Sequence, residues 1–215
     1  MTTNEQIEIK RNENMPTNKK YKLLKNDTIQ IGARTLYRIQ ALRNFSNVHK
    51  GDKGGYIEKE SNLSHEGYAW VSGDAQVYGD AQVFGDAWVS GDAQVYGDAQ
   101  VFGDAWVSGD AQVSGTARIF EDAWVSGDAQ VSGTARIFED AHVFGDARVF
   151  GNALVSGNAR VSGDANVFGN AQVFGHAKVS IGADITVDID FEIPRIKLDN
   201  MDKVNVLMKV LKKLE

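Results

Sequence analysis

Residues 69–104 of the sequence, AWVSGDAQVYGDAQVFGDAWVSGDAQVYGDAQVFGD, repeat a six-residue unit, Ala-x-Val-x-Gly-Asp. Twenty consecutive units begin with alanine, from Ala69 to Ala183, and the third residue is valine in 17 of them and isoleucine in three. Alternating apolar and polar residues are typical of a half-buried strand, and Gly-Asp is typical of a turn because glycine adopts positive φ. Each unit therefore predicts one short strand followed by one corner.

A second period of 18 residues is superimposed on the first, since residues 122–139 repeat residues 104–121 identically. Three units therefore make one coil. Stacked coils bury the alanine and valine columns, and each fully buried valine contributes roughly 1.5 kcal/mol or more before chain entropy is subtracted. Nearly seven coils at about 4.8 Å each predict a prism about 32 Å long.

Composition and charge exclude several classes of protein. No apolar run approaches the ~18 residues of a membrane span, and the polar first twenty residues predict no secretory signal peptide and a cytoplasmic location. The absence of cysteine excludes disulfides and thiolate zinc sites. Residues 71–180 carry five basic and 14 acidic side chains, a net charge of −9, which argues against nucleic-acid binding because phosphate backbones are repelled.

The two ends depart from the repeat. The stretches on either side of Gly32 predict a β-hairpin, NVHKGDKGGY at residues 47–56 predicts a connecting loop, and extra residues near His65 to Tyr68 predict an incomplete first coil. Apolar residues at helical spacing from Met201 to Leu214 predict a C-terminal helix. The predicted organisation is a flexible polar leader (1–20), a small β cap (21–56), a β-helix (57–193) and an amphipathic helix (194–215).

The repeat resembles the hexapeptide-repeat family, whose members form left-handed parallel β-helices of triangular cross-section and usually assemble as homotrimers. TLYRIQALRNF (35–45) and KGDKGGYIEKESNLSHEG (50–67) are similar to the leaders of phage- and prophage-encoded hexapeptide-repeat proteins that carry an acyltransferase label. The resemblance implies an all-β, left-handed parallel β-helix and, for a phage-encoded protein, the cytoplasm of a bacterial host. The family includes acyltransferases, γ-class carbonic anhydrases and non-catalytic members, so it implies no single activity.

Outward positions of the 18-residue coil fall on three faces. Identical side chains on a face are expected to stack on themselves in successive coils, and columns this long and apolar are also expected to be covered by other subunits, in a homotrimer. The first face carries Trp70, Trp88, Trp106, Trp124, His142, Arg160 and Lys178; the second carries Gln76, Gln94, Gln112, Gln130, Tyr78 and Tyr96; the third carries Gln82, Gln100, Arg118, Arg136, Phe84, Phe102, Phe120 and Phe138.

One corner carries a column of aspartates. Neighbouring carboxylates at about 4.8 Å repel one another by about 1 kcal/mol in water. Turn hydrogen bonds to each aspartate are expected to offset this repulsion, and the alternative is weak cation binding. No spacing matches a calcium loop, so no metal site and no cofactor is predicted. The column consists of Asp74, Asp92, Asp110, Asp128, Asp146 and Asp164.

A binding site is predicted where arginines and aromatic rings share two coils. Guanidinium groups grip phosphates or carboxylates and aromatic rings stack on bases, so facing subunits are expected to form a groove for a small anionic, nucleotide-like ligand. The alternative is that each arginine pairs with nearby Glu121 or Glu139. The predicted ligand-binding residues are Arg118, Arg136, Phe120, Phe138, Trp106 and Trp124.

Catalysis is disfavoured, with His142 as the one candidate base. The resemblance implies that a hexapeptide acyltransferase carries an extruded loop and an interfacial histidine, and the twenty units contain no such loop. A γ-class zinc site needs three histidines, which His142 and His176 do not supply. Three hypotheses follow. The chain is a phage-type accessory protein acting by binding, as an oligomeric scaffold or by sequestering an anion; a transferase using His142; or a structural virion component.

Overall fold

A computed structural model of the protein describes residues 19–180 and 182–186. Within these ranges the repeats form three parallel sheets, the faces of a solenoid, and the seven strands of one face mark seven coils. Each strand pairs with the strand 18 residues further on, as Trp106 does with Trp124 and Arg118 with Arg136. The predicted all-β parallel helix of three-unit coils is thus confirmed, and its left-handed winding stays a prediction from the resemblance.

The faces are named here by side chains that they carry. The tryptophan face contains the strands Trp70–Val71, Trp88–Val89, Trp106–Val107, Trp124–Val125, His142–Val143, Arg160–Val161 and Lys178–Val179. The tyrosine face contains Gln76–Val77, Gln94–Val95, Gln112–Val113, Gln130–Val131, Arg148–Val149, Asn166–Val167 and Asp184–Ile185. The arginine face contains Gln82–Val83, Gln100–Val101, Arg118–Ile119, Arg136–Ile137, Leu154–Val155 and Gln172–Val173.

Alanine and the aliphatic residue of every unit form the core. None of these forty side chains is more than 5% exposed, so the predicted inward columns are confirmed. Backbone hydrogen bonds run between coils: the Trp106 N–H donates to the Ala123 carbonyl and the Ser108 N–H to the Val125 carbonyl, both at 2.9 Å. Each strand contributes only two residues to its ladder, so stability comes from repeating this small unit along the axis.

The corners require glycine for two reasons. Gly109 has φ of 69°, a left-handed conformation, and a Cβ at this residue would lie 2.9 Å from the backbone nitrogen of Gly127 in the next coil. Glu121 and Glu139 occupy equivalent corner positions with φ of 58° and 56°. A left-handed conformation costs an L-residue roughly 1–2 kcal/mol, so these two corners are strained relative to their glycine counterparts.

The N-terminal cap is a three-stranded extension of the tyrosine face. Strand β1 (Tyr21–Ile31) pairs antiparallel with β2 (Arg34–Ala41), which confirms the hairpin predicted around Gly32. Strand β3 (Lys53–Ile57) pairs antiparallel with β2 and parallel with Gln76–Val77. The loop predicted for residues 47–56 is therefore wrong from Lys53 onward.

The glycines of β3 serve close packing, not a turn. A Cβ on Gly54 would lie 2.4 Å from the Val71 carbonyl oxygen, and one on Gly55 would lie 2.5 Å from the Ala75 carbonyl oxygen. The pair therefore lets the cap strand approach the first coil closely, a use of glycine that looks like turn composition in the sequence.

The first coil is incomplete, as predicted. Ile57 pairs with Val77, and Leu63 forms a parallel bridge with Val83, both at an offset of 20 residues. A 3-10 helix (Glu60–Asn62) lies between them. From Trp70 onward the regular ladder holds, since the Trp70 N–H donates to the Ala87 carbonyl at 2.9 Å. The two extra residues therefore lie just before Ala69, in the segment where the sequence predicted them.

Side-chain donors bind backbone carbonyls near all three corners of the first complete coil, residues 69–86, in addition to the backbone N–H groups that the cap and the incomplete coil donate. The Lys20 ammonium, which is fully buried, donates to the Ala69 carbonyl at 2.7 Å and more weakly to the carbonyls of Glu66 and Gly67. The buried Asn62 amide donates to the carbonyls of Gly79 and Ala81 at 3.1 and 2.8 Å. The Arg38 guanidinium donates to the Gly73 carbonyl at 3.1 Å.

Several predictions lie outside the described residues. These are the leader up to residue 18, the continuation of the last strand beyond residue 186, and the C-terminal helix of residues 194–215. In the described ranges, no helix has the length and apolar character of a membrane span.

Candidate functional site

The predicted binding residues lie in the two identical coils, residues 104–121 and 122–139. Trp106 and Trp124 are neighbours on the tryptophan face, and Arg118 and Arg136 are neighbours on the adjacent arginine face. The structure thus brings the arginines together with their phenylalanines. It places the tryptophans around a corner, at the same height along the solenoid axis.

Phenylalanines form a continuous stack along the arginine face. The rings of Phe84, Phe102, Phe120 and Phe138 follow one another with centroids 4.8–5.0 Å apart and interplanar angles of 2–3°. Tyr78 and Tyr96 stack in the same way at 5.1 Å. The prediction that identical side chains stack on themselves in successive coils is confirmed for both columns. It is wrong for Trp106 and Trp124, whose rings meet edge-on at an angle of 65°.

Arg118 lies against this stack, and neither Arg118 nor Arg136 has an acidic partner among the described residues. The Arg118 guanidinium carbon is 5.1 Å from the Phe102 ring centroid and 5.9 Å from that of Phe120. Its Nε is buried and has no hydrogen-bond acceptor among the described residues. In the same ranges every arginine ion pair belongs to Arg34 or Arg38 of the cap. Neither face arginine is therefore neutralised by a carboxylate at close range.

The predicted pairing of these arginines with Glu121 and Glu139 is wrong. The Glu121 Oε2 accepts the backbone N–H of Glu139 at 2.9 Å, and the Glu139 carboxylate accepts the N–H of Gly157. Both glutamates thus bind an amide of the next coil, at the corner, and their left-handed backbone holds them there. This local hydrogen bond outcompetes an exposed ion pair, which is worth little in water.

Charge is also reduced at the other edge of the arginine face. Thr116 and Thr134 occupy the corner position before Arg118 and Arg136, where the two preceding coils have Asp80 and Asp98. The Thr116 and Thr134 hydroxyls donate to the carbonyls of Gly133 and Gly151 at 3.2 and 3.1 Å. The two arginine coils therefore have an aspartate-free edge beside their guanidinium groups.

The tryptophan column is buried next to the cap and exposed further along the axis. Trp70 is only 2% exposed because Phe45 and Tyr21 of the cap contact it edge-on, at centroid distances of 5.3 and 6.4 Å. The prediction that other subunits cover this column is therefore wrong for Trp70, which the chain's own cap covers. Trp106 and Trp124 are 47% and 41% exposed, and Phe144, further along this face, is 38% exposed.

Serine hydroxyls hold two of the indoles. The Nε1–H of Trp88 donates to Ser72 Oγ at 3.1 Å, and that of Trp124 donates to Ser108 Oγ at 3.3 Å. Each bond joins neighbouring coils and satisfies the one polar group of the indole. The remaining ring surface is apolar and is free to contact a partner.

His142 continues the tryptophan column. Its ring contacts Trp124 edge-on at 5.6 Å. Burial lowers the pKa of His142, and the nearby charge of Arg160 lowers it further, which favours the neutral imidazole. Among the described residues no carboxylate forms an ion pair with this ring. A general base needs such an orienting group, so the chain as a single copy presents His142 without one.

The aspartate column is hydrogen-bonded only at its ends. Asp74 accepts from the Arg38 guanidinium at 2.9 Å, and Asp164 Oδ1 accepts the Gly182 N–H at 2.7 Å. The prediction of a turn bond at each aspartate therefore fails for most of the column in the part of the chain described. No cluster of three or more histidine or acidic side chains there is arranged to hold a metal ion.

Fold and site together define a parallel β-solenoid repeat protein with an arginine- and tryptophan-bearing central segment. The comparisons with known proteins agree with this class. Residues 75–91, 93–109 and 147–163 match the family model of the YdcK beta-solenoid repeat, and each match spans nearly one coil. No curated protein has significant sequence similarity to the chain.

Proposed function

We propose that the chain is a non-catalytic binding protein that holds a small anion between the subunits of a homo-oligomer, and that Arg118 and Arg136 are the residues that bind the anion. One observation carries the proposal: two guanidinium groups lie in successive coils of one face with no carboxylate paired to either. Their strands are neighbours, about 4.8 Å apart, so the two like charges repel each other and an anion bound between them reduces that repulsion.

The surroundings of the arginines suit an anion. The Arg118 guanidinium carbon lies 5.1 and 5.9 Å from the Phe102 and Phe120 ring centroids, and the N–H groups at the edge of a guanidinium bind phosphate or carboxylate oxygens. Thr116 and Thr134 in place of aspartate remove competing negative charge from that edge. Exposed Trp106 and Trp124 of a neighbouring subunit supply rings for a planar, nucleotide-like group.

The biological setting of the proposal comes from the resemblance of the N-terminal segments. It is that of a phage-type accessory protein in the cytoplasm of a bacterial host, and the resemblance of the repeat to the hexapeptide-repeat family adds assembly as a homotrimer. A scaffold without ligand and a virion component are the alternatives, and both predict assembly without anion binding.

The test measures binding of pyrophosphate and of a nucleoside diphosphate by calorimetry at low and physiological salt. The variant Arg118→Gln/Arg136→Gln is the sharpest change, because Gln100 already occupies this position one coil earlier and the fold accepts it. We expect the wild type to bind and the variant to lose at least tenfold in affinity. A charge-matched control, Arg148→Gln/Lys50→Gln, is expected to bind as the wild type does.

Two results overturn the proposal. One is equal affinity, or no binding of either probe, in the wild type and the arginine variant. The other is acyl-CoA turnover that disappears in His142→Ala, which would establish the transferase hypothesis in its place.

A further inference from the structure

We infer that Trp106 and Trp124 of one copy of the chain receive Arg118 and Arg136 of a second copy, so that the tryptophan face of one subunit packs against the arginine face of the next. The inference rests on the homo-oligomer of the proposed function and names its contact surface. It concerns the partner of the tryptophan face and does not require a bound anion.

Exposure shows where a partner is needed. The cap buries Trp70, and Trp88 is half-buried against the core, whereas Trp106 and Trp124 keep nearly half of their surface exposed. Phe144 extends the exposed apolar surface along the same face. An apolar strip of this kind is typical of an interface rather than of free surface.

Charge complementarity selects the arginine face as the partner. Each exposed tryptophan lies between two acidic corners: Asp104 and Asp110 flank Trp106, and Asp122 and Asp128 flank Trp124. Two tryptophan faces packed together would bring four acidic columns together, and like charges at an interface oppose association. An arginine face shares one of these acidic corners but has threonines at its other edge and brings cations, and a guanidinium over an indole gains a cation–π interaction.

The tryptophans and the arginines also lie at matching heights along the solenoid axis. Residues 104–121 form one coil and residues 122–139 the next, and each contains one tryptophan and one arginine. Copies related by rotation about an axis parallel to the solenoid meet at equal height, so the tryptophans of one copy face the arginines of its neighbour. The contact joins two different surfaces, and such a heterologous contact closes into a ring where the rotation between neighbouring copies closes.

Arginine can serve this contact and an anion at once. The guanidinium is planar and presents two flat surfaces for aromatic rings and N–H groups at its edge for an anion. The Arg118 guanidinium carbon already lies 5.1 Å from the Phe102 ring centroid. The anion and the neighbouring tryptophan therefore do not compete for the same part of the side chain.

The decisive experiment mixes two variants and determines mass by native mass spectrometry and light scattering. Trp106→Gln/Trp124→Gln retains the arginine face, and Arg118→Gln/Arg136→Gln retains the tryptophan face. We expect the wild type to form a closed oligomer and each variant alone to be monomeric. An equimolar mixture is expected to form a 1:1 heterodimer, because one contact between an intact arginine face and an intact tryptophan face remains.

Controls separate assembly from folding and from anion binding. Circular dichroism and the thermal midpoint are expected to stay close to wild type in both variants, and Arg148→Gln/Lys50→Gln is expected to assemble normally. Self-assembly of the arginine variant, or a mixture that stays monomeric, overturns the inference. A wild-type monomer that binds pyrophosphate overturns the inference and supports anion binding. A wild-type ring that does not bind pyrophosphate supports the inference and overturns anion binding.

Discussion

The buried Lys20 ammonium gives the cap a pH-dependent stability. Burial lowers the pKa of Lys20 from its ordinary 10.5 to about 8, and the charge of Arg43 acts in the same direction, against opposing effects of Asp86 and Glu66. Between these two pH values the unfolded chain binds more protons than the folded one. The free energy of unfolding is therefore expected to increase as pH rises through this window.

The magnitude follows from the pKa difference. Each pKa unit corresponds to 1.36 kcal/mol, so the whole window corresponds to about 3 kcal/mol, of which about 2 kcal/mol falls between pH 7 and pH 10. Burial raises the pKa of the neighbouring Tyr21 phenol, which lowers stability above pH 10 because the unfolded phenol ionises first. Measurements below pH 10 keep the two effects apart.

Urea unfolding of the wild type and of Lys20→Met at several pH values is the assay. The difference between their free energies of unfolding is expected to change by about 2 kcal/mol between pH 7 and pH 10, in favour of the wild type at high pH. Lys19→Met, which removes an exposed ammonium paired with Glu60, serves as the control and is expected to follow the wild type. A pH-independent difference between wild type and Lys20→Met would refute the assignment of a buried, charged lysine.

Three further substitutions test the coil and its corners. Glu139→Ala is expected to be about 1 kcal/mol less stable than Glu139→Gly, because alanine keeps the cost of a left-handed backbone and glycine does not; equal stability in urea would contradict that conformation. Val107→Ala is expected to lower the free energy of unfolding by about 2 kcal/mol, since it leaves a cavity in the axial core, and an unchanged midpoint would contradict its burial. Asn62→Ala leaves the carbonyls of Gly79 and Ala81 without its amide and is expected to cost about 2 kcal/mol, measured by the same unfolding curves.

Strand and coil geometry could be predicted because one rule repeats. The alternation of alanine and valine with outward residues specifies which side of every strand is buried, and a one-residue slip would expose the whole column. The eight residues from Leu63 to Val71, in place of six, likewise revealed the irregular first coil. These features are local, so a single sequence contains them.

The cap could be predicted only in outline because its contacts are distant in sequence. Lys20 and Ala69 are 49 residues apart, and nothing in the composition near Lys20 marks a buried cation. Gly54 and Gly55 look like turn residues, and only the position of Val71 and Ala75 against them shows that they are strand residues under close packing. Burial of Trp70 follows from the same unpredictable docking of the hairpin.

The candidate site, too, could be predicted from the sequence only in part. The columns of Arg118, Trp106 and their equivalents follow from the 18-residue period alone, and the structure places them on the expected faces. The hydrogen-bond partner of each glutamate could not be predicted from the sequence, because opposite charges in neighbouring positions suggested an ion pair. In the structure the backbone at this corner is left-handed, and the Glu121 carboxylate accepts the backbone N–H of Glu139 in the next coil.

The strained glutamates and the unpaired arginines occur in the same two repeat units. The units ARIFED at 117–122 and 135–140 differ from AQVFGD at 99–104 by arginine for glutamine, isoleucine for valine and glutamate for glycine. Glutamate at a left-handed corner costs energy that glycine does not, and its hydrogen bond to an exposed amide returns only about 0.5–1.5 kcal/mol. Stability alone therefore gives no reason to prefer glutamate. Its consequence is that a carboxylate remains near the arginine face but is already hydrogen-bonded, which keeps the guanidinium groups unpaired for the proposed anion or the proposed neighbouring tryptophan.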